Sequence, residues 1–365
     1  MFLVDSIIDI QDMARGAVLL GTGGGGDPYV GELFVRAQIK LGNFPRIVAS
    51  EDIDDDAFVL SIAAMGAPTV VIEHLVSDST LLRLLARAEE HFGRRVDALI
   101  SAEIGGANSM FPLALSAITG LPVLDADGIG RAVPHLEMTT FSINGCKATP
   151  AILMDDSGNE VIVQAVDDKT AEELCRVVTG AMGAMALGAF YPMSGRQAKE
   201  IAVQRTLTQT LDIGRAIRTA REQSRDIFAS LIQVLEERDG RKAAILFDGK
   251  IVDVTHETRD GWHWGRATMR SLTDAGDEFT VDIQNEFTVA RHNGRTAAIV
   301  PDLITILDRE TGEPMTGEML SYGQRVKVLG YAADAMLRLP NSLEVIGPRA
   351  FGIDEDFVSL EELVA

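Results

Sequence analysis

The sequence predicts an α/β N-terminal domain with a parallel or mixed sheet, over residues 1–166, and a β-rich C-terminal domain carrying a helical segment, over residues 167–365. Three observations predict this. Between residues 57 and 124, continuous apolar runs of strand length alternate with helix-period segments, the pattern of parallel strands joined by helices. From Lys242 onward helical period all but disappears, and strand runs follow one another across turn signals. A chain of 365 residues is also long enough to build two cores.

The elements follow in order. Residues 10–20 place Ile10, Met13, Ala17 and Leu20 at helical spacing, with Asp5 or Asp9 as the cap, and residues 29–41 read as a second helix. Residues 57–64 (AFVLSIAA) form a buried strand ending at Met65-Gly66-Ala67-Pro68. A helix over 77–94 buries Leu81, Leu82, Leu84, Leu85 and Ala88; a strand over 96–102, a helix over 110–119 and a strand over 121–124 complete the layer. Loops at the strands' carboxyl ends are where such a sheet carries function, and three polar clusters fall there: Met65-Gly66, residues 103–108 and residues 125–131. At residues 139–144 the pattern changes character, and residues 152–163 form a hairpin around Asp155-Asp156-Ser157-Gly158-Asn159. Residues 169–187 read as an Ala- and Met-rich packed helix. A helical stretch then opens with a capping box, Ser194 and Gln197, and runs with breaks to Glu237. Strands are expected at 243–254, 264–269, 278–283, 286–289, 296–308 and 324–331, turned at Asp248-Gly249, residues 274–276, residues 292–294 and Thr311-Gly312. The helices serve this domain as a wedge or an insertion.

Composition narrows the partners. Fifty-four acidic against 33 basic side chains give a net charge of −21, a field that repels nucleic acid and anionic membranes. Cys146 and Cys175 have neither disulfide-framework nor thiolate-zinc spacing. The start, MFLVDSIIDI, has no basic leader region, and the weakly polar run over 180–193 is too short to span a bilayer. A cytoplasmic protein acting on a small molecule, and assembling as a homo-oligomer, is expected.

Residues 21–26 read GTGGGG and are closed by Asp27 and Pro28. Each glycine adds unfolded-state entropy that folding must remove, so such a run belongs where backbone approaches something closely. It contains G-x-G-x-x-G at Gly21, Gly23 and Gly26, which a dinucleotide fold places after a strand, with a ribose-binding acid about 20 residues on. Glu51 and Asp52 lie near that distance, but the segment before the run is helical. The expectation is a backbone cradle between two helices, with Gly23, Gly24, Gly25, Gly26 and Asp27 binding substrate; Asp27 equally suits capping the next helix.

The densest polar constellation is DADGIGRAVPHLE at residues 125–137. Asp125 and Asp127, one residue apart, can orient a water or share a divalent metal (zinc, manganese or magnesium), and Arg131 offers a fork for a substrate carboxylate. A solvated loop with an Asx turn is the competing reading. Glu103 and Asn108, around Gly105-Gly106, offer a general base and an amide donor; surface charge and helix cap are the alternatives. Six histidines occur, at 74, 91, 135, 256, 263 and 292, without tight ligand spacing. His256 is a candidate proton carrier, and Trp262 and Trp264, flanking His263, can wall a small-molecule pocket or simply pack at a turn. G-x-S-x-G, Walker A and H-E-x-x-H motifs do not occur.

GTGGGGDP at Gly21, DADGIGRAVP at Asp125 and VIGPRAFG at Val345 together resemble the S-methyl-thiohydantoin desulfurase family, over about residues 9–355. The resemblance implies a two-domain protein, often encoded beside or fused to hydantoinase/oxoprolinase-type enzymes. It also implies hydrolytic removal of a thiol from an S-methylated thiohydantoin to leave a hydantoin. It assigns no residue roles. The leading expectation is a hydrolase of a hydantoin-like ring: Asp125 and Asp127 activate water or hold the metal, Glu103 or a histidine moves protons, and the glycines cradle the ring. On this expectation Asp127→Asn abolishes turnover and leaves the melting temperature nearly unchanged. A nucleotide-binding protein and a non-catalytic partner of a ring-opening hydantoinase/oxoprolinase are the alternatives.

Overall fold

A computed structural model describes residues 2–66, 77–259, 262–274 and 276–365, with the backbone alone at Thr258, Arg259 and Trp262. Ala67, Pro68, His74, Gly261 and the Trp262 side chain lie outside this description.

The first sheet is built from β1 (Phe2–Leu3), β2 (Arg46–Val48), β3 (Phe58–Gly66), β4 (Ala98–Ser101), β5 (Pro122–Asp127), β6 (Ala151–Met154), β7 (Glu160–Val163), β8 (Met185–Ser194) and β9 (Val203–Gln204). Among the described residues these run in the order β1-β2-β5-β4-β3-β8-β6-β7, with β9 beside β5. The pairs β2–β5, β5–β4 and β4–β3 are parallel, and the remaining pairs are antiparallel, so the sheet is mixed. β3 is apolar along most of its length because it lies inside the sheet, covered on both faces.

Local signals set the helices between the strands. α1 (Ile7–Leu20) is capped by Ser6, whose Oγ accepts the Ile8 N–H at 3.2 Å; neither Asp5 nor Asp9 takes that role. α2 (Tyr29–Lys40) follows the glycine run. The helix Asp78–Phe92 starts at Ser77, buries Leu81, Leu84, Leu85 and Ala88, and stops at Gly93 in the left-handed region. Leu82 is exposed.

One expected helix is shorter than its composition suggests. The segment read as helical over 169–187 is helix only at Asp168–Ala181. Gly183 (φ +86°) and Ala184 (φ +67°) then turn the chain into β8. β8 pairs with β3 on one side and β6 on the other, so sheet position overrides the helix preference of an Ala- and Met-rich run. The first sheet therefore receives β8 and β9 from beyond residue 167. Residues 139–144 hold a short helix, Thr140–Ile143.

The helices Gly195–Ile201, with the Ser194/Gln197 capping box, Thr206–Glu222 and Ile227–Asp239 form the expected broken stretch. Thr206–Glu222 crosses α1 where two glycines meet its backbone: a Cβ on Gly16 would lie 2.0 Å from Thr210 O, and one on Gly214 1.9 Å from Asp12 O. That close approach explains both glycines. Ile227–Asp239 packs on this helix and reaches the second sheet, so the helices wedge the domains together.

The second sheet is antiparallel throughout: β10 (Ala243–Arg259), β11 (Trp262–Ser271), β12 (Glu278–Gln284), β13 (Glu286–His292), β14 (Arg295–Ile299), β15 (Leu303–Asp308), β16 (Pro314–Met315) and β17 (Arg325–Tyr331), in the order β14-β13-β12-β11-β10-β17-β15-β16. The strand expected over 296–308 is two strands, divided at Pro301, which has no N–H for a ladder. Helices at Pro340–Ile346 and Leu360–Leu363 were not legible in the sequence. One apolar cluster joins the two domains, bringing Ile10, Leu19 and Leu20 of α1 together with Val300, Leu303 and Leu307. Among the described residues no helix is long and apolar enough to cross a membrane.

Candidate functional site

A cavity of about 160 Å3 opens where the glycine run, the carboxyl ends of β3 and β4, and the second domain converge. The run begins as α1 ends and is held from both sides. Phe287 N–H donates to Thr22 O at 2.6 Å, and Gly317 N–H donates to Gly23 O at 2.7 Å, both from the second domain. On the other side Ala107 N–H donates to Gly25 O at 2.9 Å. Space explains the glycines. A Cβ on Gly23 would lie 2.5 Å from the Phe287 ring, on Gly24 2.3 Å from Glu286 Oε1, and on Gly25 2.4 Å from Gly105 O. Gly24, Gly25, Gly26 and Asp27 line the cavity, whereas Gly23 is absorbed in the contact with Phe287. Among the described residues, no acceptor takes the N–H of Gly25 or Gly26. Asp27 both lines the cavity and caps α2, accepting Tyr29 N–H at 2.9 Å.

Glu103 stands two residues past β4. Its Oε1 accepts from Asn108 Nδ2 at 2.8 Å and its Oε2 from Val133 N–H at 3.1 Å. Asn108 does not cap a helix. It grips Ala64 of β3, taking its N–H at 2.7 Å and donating to its carbonyl at 3.2 Å, and so orients Glu103. Burial pushes the Glu103 carboxyl up to about 7, against the pull of these two donors.

Across the cavity stands Glu286, the first residue of β13, set by Asn285 in the left-handed region (φ +57°). Glu286 is 3% exposed, and its Oε2 is buried without a hydrogen-bond partner. Burial, with the Glu103 charge adding to it, raises its carboxyl to about 8; Arg131 opposes the shift. A buried carboxyl left unsatisfied is the kind of exception that function explains.

The remaining wall mixes apolar and polar groups. Phe190 and Tyr191 contribute from β8, and the Tyr191 hydroxyl donates to Leu136 O at 2.6 Å. Arg176 is ion-paired with Glu172 at 2.5 Å and donates to Pro134 O at 2.7 Å. Glu318 lines the second domain's side. The acidic side chains of Asp27, Glu103, Glu172, Glu286 and Glu318 thus surround the space, an unfavourable setting for a polyphosphate.

The aspartate loop lies elsewhere. Asp125 is buried and accepts the N–H and hydroxyl of Thr208, tying the helix Thr206–Glu222 to β5. Asp127 is fully buried and accepts N–H groups from Ile104 (2.8 Å), Ile129 (3.0 Å) and Gly130 (2.8 Å). Neither lines the cavity, and their oxygens are taken by protein donors. Among the described residues, no group of three or more His, Cys, Asp or Glu is placed to hold a metal ion. Arg131, 1% exposed, donates to Ala132 O at 3.0 Å, Pro301 O at 2.6 Å and Thr22 Oγ1 at 3.0 Å, so its fork locks the domains and the glycine run rather than meeting a ligand. Trp264 is half-buried on β11, outside the lining, and His256 is exposed on β10.

Sequence reasoning missed Glu286, Glu318, Arg176 and Tyr191. The one available signal was Asn285-Glu286, a turn-prone residue and an acid set between two apolar strand runs. Arg176 at four residues from Glu172 looks like any helix-surface pair.

Two family models match the chain: S-Me-THD-like, N-terminal domain, over residues 8–165, and S-Me-THD-like, C-terminal domain, over residues 166–360. No curated protein matches. A crystal structure of a protein from Chromobacterium violaceum is similar over 99% of this chain and 100% of its own, with a TM-score of 0.83 at 23% identity. That likeness is one of fold.

Proposed function

The chain belongs to the S-Me-THD-like family, and on that premise we propose that it is a hydrolase replacing the methylthio group of an S-methyl-thiohydantoin-like ring by oxygen. The observation that carries this reading is the pair of carboxyls in one cavity, Glu103 from the first domain and Glu286 from the second, both held near neutrality. Two carboxyls with environments that separate their roles are the signature of acid–base work.

The roles follow from their partners. Glu103 receives two hydrogen bonds that favour its ionised form, so it is the base. Glu286 has an oxygen with no donor and ionises later, so it keeps its proton and is the acid. Glu103 removes a proton from water as the water oxygen bonds to the ring carbon bearing sulfur, and the C=N electron pair moves to the ring nitrogen. Glu103 delivers that proton to the ring nitrogen and, ionised again, takes the proton of the new hydroxyl as it collapses to C=O. In the same step the C–S bond breaks with its electron pair on sulfur, and Glu286 protonates the departing sulfur. Glu103 then releases its proton to solvent and Glu286 regains one, so the net change is ring plus water to hydantoin plus methanethiol. The N–H groups of Gly25 and Gly26 are suited to the exocyclic ring oxygen, and Phe190 and Tyr191 to the ring face.

The test is release of methanethiol from an S-methyl-thiohydantoin, followed with a thiol-reactive chromophore. Glu103→Gln is expected to lower kcat by about 10²–10⁴-fold with the fold intact by circular dichroism. An unchanged rate in this variant overturns the assignment.

A further inference from the structure

The cavity has a second polar connection, leading outward through β10 and β11. His256 Nδ1 and His263 Nε2 lie 2.8 Å apart. The ring centroids are 5.0 Å apart with 27° between planes, the separation of two imidazoles meeting edge to edge through their nitrogens, not face to face. This is an N–H···N hydrogen bond. His256 is exposed, whereas His263 is half-buried and its Nδ1 is buried without a hydrogen-bond partner. That nitrogen lies 3.9 Å from Glu318 Oε1, and Glu318 lines the cavity.

The backbone holds the string in place. His263 N–H donates to Asn285 Oδ1 at 2.9 Å and Asn285 N–H to His263 O at 2.7 Å, fixing His263 to the corner that carries Glu286. The Gly317 N–H bond to Gly23 O fixes Glu318 against the glycine run. Among the described residues, the charged and titratable groups acting on His263 are Glu318 and His256.

We propose that His256 and His263 form a proton route between solvent and the cavity, entering at Glu318 and recharging Glu286 after each turnover. This rests on the hydrolase reading, in which Glu286 has given its proton to sulfur. A proton from solvent binds His256 Nε2, and His256 passes its Nδ1 proton to His263 Nε2. His263 then passes its Nδ1 proton to the Glu318 carboxylate, from which it reaches Glu286. Each ring gains one proton and loses one, and ring reorientation restores the starting tautomers. Burial disfavours charge on His263, which suits a carrier that is only transiently cationic. The two histidines are positioning residues for proton supply and touch no substrate.

The experiment uses the whole chain. Nitrogen–nitrogen scalar coupling between the two rings is expected in the wild-type spectrum, and its absence overturns the route. His256→Ala, at an exposed position that the fold does not need, is expected to lower kcat about ten-fold or more in weakly buffered solution. KM should stay unchanged, and added imidazole should restore the rate. His263→Gln should show the same loss with weaker rescue. Wild-type kcat in both variants at every buffer strength overturns the proposal. If the wild-type chain turns over no S-methyl-thiohydantoin, the hydrolase reading fails, and the route is still judged by the coupling and by whether Glu318→Gln moves the His263 Nδ1 resonance.

Discussion

Gly25→Ala probes the approach of the glycine run to the loop after β4. Gly25 has φ +73°, and an added Cβ would lie 2.4 Å from Gly105 O and 3.1 Å from Ala132 Cβ. Left-handed backbone costs an L-residue about 1–2 kcal/mol, and forcing packed backbone apart costs about 1–3 kcal/mol more. The nearer neighbour is poor at yielding because Gly105 O is backbone, and Gly25 cannot easily move away because its own carbonyl is bonded to Ala107 N–H. Gly145→Ala is the matched control, with φ +85° and nothing within 4 Å of the new Cβ. It should show the backbone cost alone. Urea unfolding of both variants, compared at equal m-values, is expected to place Gly25→Ala below Gly145→Ala by about 1–3 kcal/mol. If the two are equally destabilised, close approach is not what fixes glycine at position 25.

Three further outcomes are expected. Gly24→Ala puts a methyl 2.3 Å from Glu286 Oε1, and displacing that carboxyl by about 1 Å should lower methanethiol release about 10²-fold with little effect on unfolding; wild-type kcat would refute it. Glu103 and Glu286 stay protonated in the fold to about 7 and about 8, whereas unfolded glutamates ionise near about 4.3. The fold therefore binds more protons between these limits, so their contribution to stability is full below the unfolded value and is lost as pH rises through about 7 and about 8. Urea midpoints should fall with pH there, less steeply in Glu286→Gln, while kcat/KM should peak between the two values; a flat Glu286→Gln difference would contradict the assignment. Asp127→Asn should cost about 1–3 kcal/mol, because its amide would turn a donor toward N–H groups; urea unfolding checks this, and an unchanged midpoint would return Asp127 to the list of candidate catalytic groups.

Much of the fold was legible because its signals are local. Ser77 and Gly93 mark the ends of one helix, Gly120 ends another, and the unbroken apolar run of β3 could only be an interior strand. β8 was not legible, since an Ala-, Gly- and Met-rich run becomes a strand only because β3 and β6 offer it two ladders. Of the residues singled out in the sequence, Glu103, Asn108 and Gly24–Gly26 line the cavity, because strand ends and bare backbone are where this fold leaves space. Asp125, Asp127 and Arg131 stand outside the cavity lining for a physical reason. A knot of acids, glycines and arginine satisfies backbone as readily as it binds a ligand, and the N–H groups that occupy Asp127 leave no mark on a sequence. Glu286 and Glu318 were hidden by distance along the chain, each an ordinary acid in an ordinary strand or turn.

The carbonyls of Thr22 and Gly23 are matched by Phe287 and Gly317, so the glycine run is completed by residues of the second domain far along the sequence. Contacts of such long reach form late, after the loop entropy between them has been overcome. Glu286 and Glu318, both from the second domain, complete the wall that Glu103 and the glycine run begin. The cavity is therefore a joint property of the two domains, and neither alone encloses it.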